Sequence, residues 1–303
     1  MSLEDREDGG PEFLSDIDLG YTPLVGRAFY VVCLCAAFFG VVMLAMLIAD
    51  IVLEALTGVA IGLDPRTFLT QTASRDPFSA GFLGAIVGSM WLMIFTVIFS
   101  FSLGVGTAIY LEEYAPSTRT TRLIEANLTN LAGVPSVVYG LLALAVFVTG
   151  VGMGPIIVAG SIALALLIVP IIIVASQEAL RAVPDSLRHG SYATGATKWQ
   201  TIRRVVLPAA FPGIMTGTIL ALARAIGETA PLLMVGAVLA AGHVPLNPFN
   251  RFSAMPTEIY YWAFRPITEF HHLAAYGIIV LLAMLFGLIG VAIVLRAKYE
   301  KEL

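Results

Sequence analysis

An arginine and a glutamate lie four residues apart in a strongly apolar stretch of this 303-residue chain. The stretch reads ALARAIGETAPLLMVGA, and the two charged residues are Arg224 and Glu228. Residues four apart share one face of a helix, so the two side chains can form an ion pair. A lone charge inside a bilayer costs roughly 2.5–3.5 kcal/mol on insertion scales, and pairing offsets part of that cost. We therefore expect both side chains to face the interior of a bundle or an aqueous path.

This pair has the chemistry to handle an oxyanion. Arginine offers a planar fork of donors that matches the oxygens of a tetrahedral anion. A neighbouring carboxylate holds the fork in place, accepts a proton from a protonated phosphate and repels an anion that has no donor hydrogen. The alternative is a structural salt bridge that only fixes helix packing. Pro231 follows closely and weakens the local helix, which suits a moving element.

A polar segment, residues 176–207, precedes the charged stretch and separates it from another apolar run. We expect Gly195 to break this segment into two short helices. The first would be capped by Asp185 or Ser186, and the second by Thr197, because side-chain oxygens at these positions can accept a bond from a free helical N–H. The segment is thus predicted to be a helix, a glycine elbow and a second helix.

Such a shape presents a short rigid surface to a partner protein, with Tyr192 and Trp199 as candidate anchors. The alternative is an ordinary amphipathic loop at the membrane surface. No G-x-x-x-x-G-K-[ST] pattern occurs in the sequence, so the chain is not expected to hold ATP in a P-loop. We therefore expect a transporter subunit and not an enzyme, with any ATP hydrolysis in a separate chain.

The composition is that of a polytopic membrane protein. Charged residues make up 13% of the chain, against roughly 25% in an average soluble domain. Apolar runs predict six spans able to cross ~30 Å of hydrocarbon, and hence an all-α integral membrane fold. The predicted spans cover about 28–48, 81–109, 131–148, 156–175, 209–240 and 273–295.

Six spans place both termini on the same side of the membrane. Twelve Lys or Arg residues lie on that side and four on the other, which predicts cytoplasmic termini and a cytoplasmic polar segment. We divide the chain into an acidic tail at 1–27, a first transmembrane helix at 28–50, a five-helix core at 81–296 and a short tail at 297–303.

Several further residues with chemical potential are expected to have structural roles. Cys33 and Cys35 lie two positions apart on a helix and face different sides, so lipid-facing or packed thiols are expected in place of a disulfide or metal pair. Glu112 and Glu113 are predicted to belong to a solvated or salt-bridged connector, with paired-carboxylate chemistry as the alternative.

Two features of the last loop receive similar interpretations. His271 and His272 diverge and lack an evident third ligand, so an interfacial or capping role is expected in place of a metal site. An aromatic cluster is typical of an interfacial belt, and seating an external binding protein is the alternative. This cluster consists of Tyr260, Tyr261, Trp262 and Phe264.

The end of the polar segment, SYATGATKWQTIRRVVLP, resembles the coupling-loop motif of binding-protein-dependent ABC importer permeases. That motif is Glu-Ala-Ala, three residues, Gly, nine residues, an aliphatic residue, any residue and Leu-Pro. The glycine and the closing Leu-Pro are present, whereas His, Gly and Ser replace Glu-Ala-Ala. The resemblance implies ATPase coupling through His189, Gly190, Ser191, Gly195, Ala196, Trp199, Leu207 and Pro208.

Four stretches sharpen the resemblance to phosphate-specific ABC permeases of the PstA type. They are IYLEEYAP, NLAGVPSVVYGL, VPDSLRHGSYATGATKWQTI and ARAIGETAPLL, within about residues 81–240. The resemblance implies a type I, MetI-like importer fold and a role for Arg224 and Glu228 in phosphate passage. Pro135 and Ser136 interrupt the third span, and we place them in the same pathway, with simple packing as the alternative.

The resemblance also implies partners. A PstC-like permease would form a heterodimer with this chain, and two copies of a PstB-like ATPase would bind ATP and Mg²⁺. An external PstS-like protein would deliver phosphate, and this chain would need no cofactor or metal of its own. The expected location is the inner cell membrane. The alternatives are a permease for sulfate or molybdate, and a channel or secondary carrier without an ATPase.

Overall fold

The computed structural model describes residues 23–237 and 242–301. Most of the predicted acidic tail at 1–27 therefore lies outside the described residues, as do residues 238–240 of the predicted fifth span and the last two residues. Packing divides the chain into two units between Asp50 and Ile51, at the predicted end of the first transmembrane helix.

The described regular structure is helical, as predicted. In chain order the α-helices are α1 Pro23–Ala60, α2 Pro65–Thr70, α3 Leu83–Ile109, α4 Arg119–Leu131, α5 Ser136–Ala143, α6 Ile157–Arg181, α7 Asp185–Ala193, α8 Lys198–Thr201, α9 Leu207–Ile226, α10 Ala230–Val235, α11 Met255–Ala263 and α12 Thr268–Lys301. Three π-helical segments, Tyr110–Tyr114, Leu144–Gly150 and Ile202–Val206, extend α3, extend α5 and lead into α9.

Within the described residues, five helical stretches are long and apolar enough to cross a membrane. They are Gly26–Ala60, Leu83–Tyr114, Ile157–Arg181, Lys198–Ile226 and Thr268–Lys298. A sixth span results if Arg119–Leu131 and Ser136–Gly150, which meet at a bend of 104°, are counted together. The number of spans agrees with the six that were predicted, although the first helix is considerably longer than expected.

Two of the spans are broken, and one break was not predicted. We expected a continuous helix over 209–240, but α9 ends at Ile226 and residues 227–229 separate it from α10. Pro231 lies in the first turn of α10, where its missing N–H removes no helical hydrogen bond. This proline therefore starts a new helix and does not weaken an old one.

Helix α6 lies at the centre of the bundle, with buried side chains along its whole length. Helices α3 and α9 pack against it through small residues. A Cβ atom added at Gly104 of α3 would lie 2.7 Å from the Ile172 side chain, and one added at Gly217 of α9 would lie 2.3 Å from the Ala175 Cβ. Small residues at such crossings let helix backbones approach closely, which is how apolar helices gain packing energy in lipid.

A second, aromatic core joins α2, α3, α11 and α12. Phe68 and Phe82 stack with ring centroids 5.1 Å apart, and Trp262 lies 5.4 Å from Phe82. Trp262 is fully buried, so the prediction that it belongs to an interfacial belt is wrong. Tyr260 and Phe264 of the same run are exposed and remain candidates for that role.

The adjacent histidines bind separate backbone partners. The His271 Nε2 atom lies 2.7 Å from the Arg265 carbonyl, and His272 Nδ1 lies 3.1 Å from the Glu54 carbonyl and 2.9 Å from its carboxylate. His271 thus ties the start of α12 to the end of α11, in keeping with the expected capping role, whereas His272 contacts a residue inside α1. Among residues 23–237 and 242–301, no three His, Cys, Asp or Glu side chains gather as a metal site requires.

We predict that Gly217→Ala destabilises the bundle. The added Cβ would overlap Ala175, and overpacking of this kind costs about 1–3 kcal/mol. For a chain of this size the midpoint of thermal unfolding should fall by about 2–12 °C, since 1 kcal/mol corresponds to about 2–4 °C. Tryptophan fluorescence of the purified protein in detergent would measure this shift.

The matched control is Gly106→Ala in α3, where nothing lies within 4 Å of the added Cβ. Because alanine favours helix more than glycine does, this variant should unfold at the wild-type temperature or slightly above it. Equal destabilisation of both variants would contradict the close approach of α9 and α6.

Candidate functional site

Arg224 and Glu228 are brought together where α9 stops. Arg224 lies in the last turn of α9, and Gly227 ends the helix with its N–H donating to the Arg224 carbonyl at 3.3 Å. The Glu228 N–H then donates to the Ala225 carbonyl at 3.2 Å, which keeps the chain turning after the helix has ended. This turn places the Glu228 carboxylate 3.4 Å from the Arg224 Nε.

The two side chains differ in exposure. The Arg224 side chain is 46% exposed and that of Glu228 only 17%. The hydrogen bond between them uses Nε, so the terminal guanidinium nitrogens are the donors that an approaching anion would meet first. Glu228 therefore fixes the orientation of a guanidinium whose outer edge remains accessible. A guanidinium with such an accessible edge can donate two parallel hydrogen bonds to an oxyanion.

The second broken span lies against this break. Helix α5 packs on α10 so closely that a Cβ added at Gly140 would lie 2.6 Å from the Pro231 Cα. Tyr139 of α5 lies within electrostatic range of Arg224, and its hydroxyl donates to the Leu131 carbonyl at 2.7 Å. Tyr139 was not among the predicted site residues. It lies about one helical turn after Ser136 on α5, and this spacing could have identified it as a neighbour of that residue.

Pro135 and Ser136 form the start of α5. Pro135 occupies the N-cap position in extended geometry, and Ser136 is the first helical residue. Within the described part of the chain, no hydrogen bond joins Ser136 to Arg224 or Glu228. Their helix is adjacent to the break that holds the ion pair, and their role in a pathway stays a prediction.

The polar segment (176–207) has the predicted helix–elbow–helix form, with one error in the caps. Thr197 caps α8 as expected, accepting from the Gln200 N–H while the Gln200 side chain accepts from the Thr197 N–H. Gly195 has φ +83°, the left-handed geometry that favours glycine. The prediction that Asp185 or Ser186 caps α7 is wrong, because Pro184 takes the N-cap position and Asp185 is already helical.

One face of the polar segment is anchored to the bundle and the other is open. Thr201, Ile202 and Val206 are buried, and the Ser191 and Thr201 hydroxyls lie 2.9 Å apart across the elbow. The predicted docking residues divide accordingly. His189, Gly190, Gly195 and Trp199 are exposed, whereas Ser191, Ala196, Leu207 and Pro208 are half-buried.

The exposed face also carries a residue that sequence reasoning missed. Leu187 is 45% exposed on α7, in the same segment as the exposed rings of Tyr192 and Trp199. The available signal was a large aliphatic side chain in an otherwise polar stretch. Apolar and aromatic side chains on a rigid, exposed helical surface are typical of a protein–protein contact.

Comparisons with known proteins agree on a family. The sequence model described as "Binding-protein-dependent transport system inner membrane component" matches residues 100–298. The chain is 38% identical to "Probable ABC transporter permease protein YqgH" of Bacillus subtilis over 65% of this chain and 66% of that one, just under two thirds of the relative's length. It is 31% identical to "Phosphate transport system permease protein PstA" of Yersinia pestis over 90% of this chain and 91% of that one.

A solved structure with the same arrangement of helices is that of a bacterial alginate ABC transporter in complex with an alginate pentasaccharide-bound periplasmic protein. The TM-score is 0.66 at 14% sequence identity, over 88% of this chain and 92% of that one. At this identity the likeness concerns the fold alone. Together with the family match, it confirms the predicted fold class, the all-α fold of importer permeases.

We predict that Gly195→Ala loosens the elbow of the polar segment. No atom lies within 4 Å of the added Cβ, so the cost is conformational, about 1–2 kcal/mol for an alanine in left-handed geometry. Amide hydrogen exchange in residues 191–201 should become roughly tenfold faster, since 1.4 kcal/mol is a factor of ten. Mass spectrometry of peptides from this region would measure the rate.

Two further variants sharpen this test. Gly195→Asn should show a smaller effect, because asparagine tolerates left-handed geometry better than alanine does. Gly190→Ala, in a helix and also without a neighbour within 4 Å, should leave exchange unchanged or slow it slightly. If Gly190→Ala accelerated exchange as much as Gly195→Ala, the positive φ at Gly195 would not be the cause.

Proposed function

Because the chain belongs to the family of binding-protein-dependent transport system inner membrane components, we propose that it is the permease subunit of an ATP-driven importer of inorganic phosphate. The relative that aligns with 90% of this chain is named a phosphate transport system permease protein, and that name supports phosphate as the substrate. The chain is not an enzyme in this role. It provides one side of a path across the membrane.

The observation that carries the proposal is the contact between Arg224 and Glu228 at the end of α9. The guanidinium supplies paired donors for phosphate oxygens. Inorganic phosphate keeps at least one O–H at neutral pH, and the Glu228 carboxylate accepts a hydrogen bond from it. Sulfate has no such hydrogen and is repelled by the same carboxylate. The pair therefore favours a protonated oxyanion over an unprotonated one.

The exposure of Arg224 supports a second permease subunit. A charged side chain in a membrane span is costly unless it faces protein or water. In the single chain the Arg224 side chain is 46% exposed, which leaves its outer edge to be covered by another subunit or by an aqueous path. A PstC-like partner that completes this face would enclose a phosphate path between the two subunits.

The exposed face of the polar segment is the proposed dock for the ATPase. Two copies of a PstB-like chain would bind ATP and Mg²⁺. One copy would contact this face, and the other would contact the equivalent face of the PstC-like partner. An external PstS-like protein would deliver phosphate. Since α9 begins where the polar segment ends, at Leu207, movement of the segment would pass directly to Arg224.

In this mechanism the chain lies in the inner cell membrane. The polar segment and both termini face the cytoplasm. Twelve Lys or Arg residues lie on the side of the termini and four on the opposite side, and this asymmetry supports that orientation. In the inward-open state phosphate would leave toward the ATPase side. In the outward-open state Arg224 would meet phosphate released by the external protein.

We predict that Arg224→Gln lowers ATP-dependent phosphate uptake by about tenfold or more, the size expected for losing a hydrogen bond to a charged group. Arg224→Lys keeps the charge but lacks the planar fork, so its uptake should lie between that of Arg224→Gln and that of the wild type. Uptake of labelled phosphate into vesicles that contain the full complex, loaded with ATP, would measure this.

The control is Arg122→Gln on α4, which removes an exposed positive charge far from the ion pair in sequence. It should transport at the wild-type rate. Undiminished uptake by Arg224→Gln would refute the role given to this residue. If the wild-type complex transported sulfate or molybdate but not phosphate, the assignment of phosphate as the substrate would be refuted. Uptake that needs no ATP would indicate a channel or secondary carrier.

We also predict that Glu228→Gln weakens discrimination between oxyanions. The amide removes the negative charge that repels sulfate but keeps an acceptor oxygen for a phosphate O–H. Sulfate should therefore inhibit phosphate uptake by this variant at concentrations that leave wild type unaffected. Competition assays in the same vesicles would measure inhibition, and identical sulfate sensitivity of variant and wild type would contradict this role.

A further inference from the structure

Three consecutive residues of the π-helical turn that extends α3 each contact a basic side chain, one from α6, one from α7 and one from α8. The Glu112 carboxylate lies 2.9 Å from Arg181 Nε, and the Glu113 carboxylate lies 3.0 Å from Arg188 Nη2. The Lys198 ammonium lies 5.0 Å from the centre of the Tyr114 ring. We call residues 112–114 the clasp.

The three cations are separated by the two joints of the polar segment. Arg181 is the last residue of α6, Arg188 lies in α7, and Lys198 begins α8. The chain leaves helical geometry between α6 and α7 at residues 182–184, and again between α7 and α8 at 194–197. Each joint is thus bridged, because the residues on either side of it bind the same short piece of α3.

The central contact is the most protected one. The side chains of Arg188 and Glu113 are 16% and 8% exposed, and Arg188 Nη2 also donates to the Leu180 carbonyl at 2.9 Å. Water screens an ion pair at this depth much less than an exposed one. Removing one partner of such a pair leaves the other charge buried without compensation, so the pair is strongly held.

The clasp is itself part of a rigid element. Residues Tyr110–Tyr114 continue α3 as a π-helical turn, closed by the Ala115 N–H donating to the Tyr110 carbonyl at 2.8 Å. Helix α3 in turn packs along α6, with Gly104 against Ile172. A displacement of α7 or α8 is therefore passed into α3 and not absorbed by bending at the joints.

We propose that the clasp couples the ATPase to the membrane helices, with Glu113 and Arg188 as its principal positioning residues. The proposal rests on the proposed function, because it assigns the route by which movement of the docked segment reaches the bundle. The polar segment enters α9 directly at one end, and the clasp adds a second connection, to α3. With both connections in place the segment moves as one body.

The test is the ratio of phosphate taken up to ATP hydrolysed, measured in the same vesicles with the full importer. Glu113→Gln should hydrolyse ATP, because the exposed docking face is intact, but its ratio should fall about fivefold or more, the lower end of typical coupling between sites. The double variant Glu113→Arg with Arg188→Glu restores opposite charges and should recover most of the ratio.

Asp185→Asn is the matched control. Asp185 also pairs with Arg188, at 3.6 Å, but belongs to the same helix and bridges no joint. Its ratio should equal that of wild type. Tyr114→Leu removes the ring beneath Lys198 without touching a buried charge and should lower the ratio about twofold, as expected for an exposed cation–π contact. Tyr114→Phe, which keeps the ring, should not.

A wild-type ratio in both Glu113→Gln and Tyr114→Leu overturns the proposal. So does a parallel fall in uptake and hydrolysis that leaves the ratio unchanged, since that result indicates a structural role alone. If Glu113→Gln does not assemble, Tyr114→Leu decides: a ratio lowered about twofold, with Tyr114→Phe at the wild-type ratio, supports the proposal, and a wild-type ratio in Tyr114→Leu overturns it.

The proposed function fails separately. Wild-type vesicles that show no ATP-dependent uptake of any oxyanion would refute it. If the wild-type complex transports a different oxyanion, the substrate assignment fails, while the ratio can still be measured with that anion and still tests the clasp.

Discussion

A backbone that leaves helical geometry within a membrane span must find other partners for its N–H and C=O groups, and two spans of this protein depend on meeting that requirement. At 132–134 the turn is closed locally, by the Gly133 N–H to the Asn130 carbonyl and the Val134 N–H to the Leu131 carbonyl. The Tyr139 hydroxyl gives the Leu131 carbonyl a second donor. At 227–229 the Gly227 and Glu228 N–H groups reach back to the last turn of α9. Irregular backbone at membrane depth is tolerated where it is buried in protein or lines an aqueous path, and the ion pair lies at one of these breaks.

Close packing supports both breaks. Helix α10 is only six residues long and could not hold its position alone. Its Pro231 rests on Gly140 of α5, and α9 rests on α6 through Gly217 and Ala175. Small residues at these crossings let the backbones approach closely, and the resulting van der Waals contact holds the short helix in position. The same contacts fix the direction from which Arg224 and Glu228 approach each other.

Much of this arrangement is readable from the sequence because the relevant signals are local. Thr197 followed by Gln200 predicts a cap, Gly195 predicts the elbow, and the four-residue spacing of Arg224 and Glu228 predicts their contact. The contact survives although the helix ends between the two residues. The break itself was missed because the apolar residues on both sides of Gly227, Glu228 and Thr229 suggest one continuous span, although the glycine and the nearby Pro231 are signals of a helix boundary.

The features that sequence reasoning could not predict depend on residues far apart in the chain. Glu113 and Arg188 are separated by 75 positions, and nothing in either local stretch selects one partner among the several charges nearby. Trp262 was assigned to the membrane interface by its type, but packing with Phe82 and Phe270 encloses it completely. Pro184 displaced the expected cap, because its fixed φ prepares the chain for the helix that starts at the next residue.

The Arg188–Glu113 and Arg224–Glu228 ion pairs are covered by the chain to different degrees, and the difference follows from their proposed roles. Arg188 and Glu113 are both largely covered within the single chain, so the connection between the polar segment and α3 needs no other subunit. Arg224 keeps an exposed edge beside a covered Glu228. A contact that transmits force has to be present in every state, whereas one that binds and releases an anion has to be open in at least one. In the proposed mechanism the chain therefore contains its own mechanical link, while its oxyanion site would be closed by assembly with a second permease.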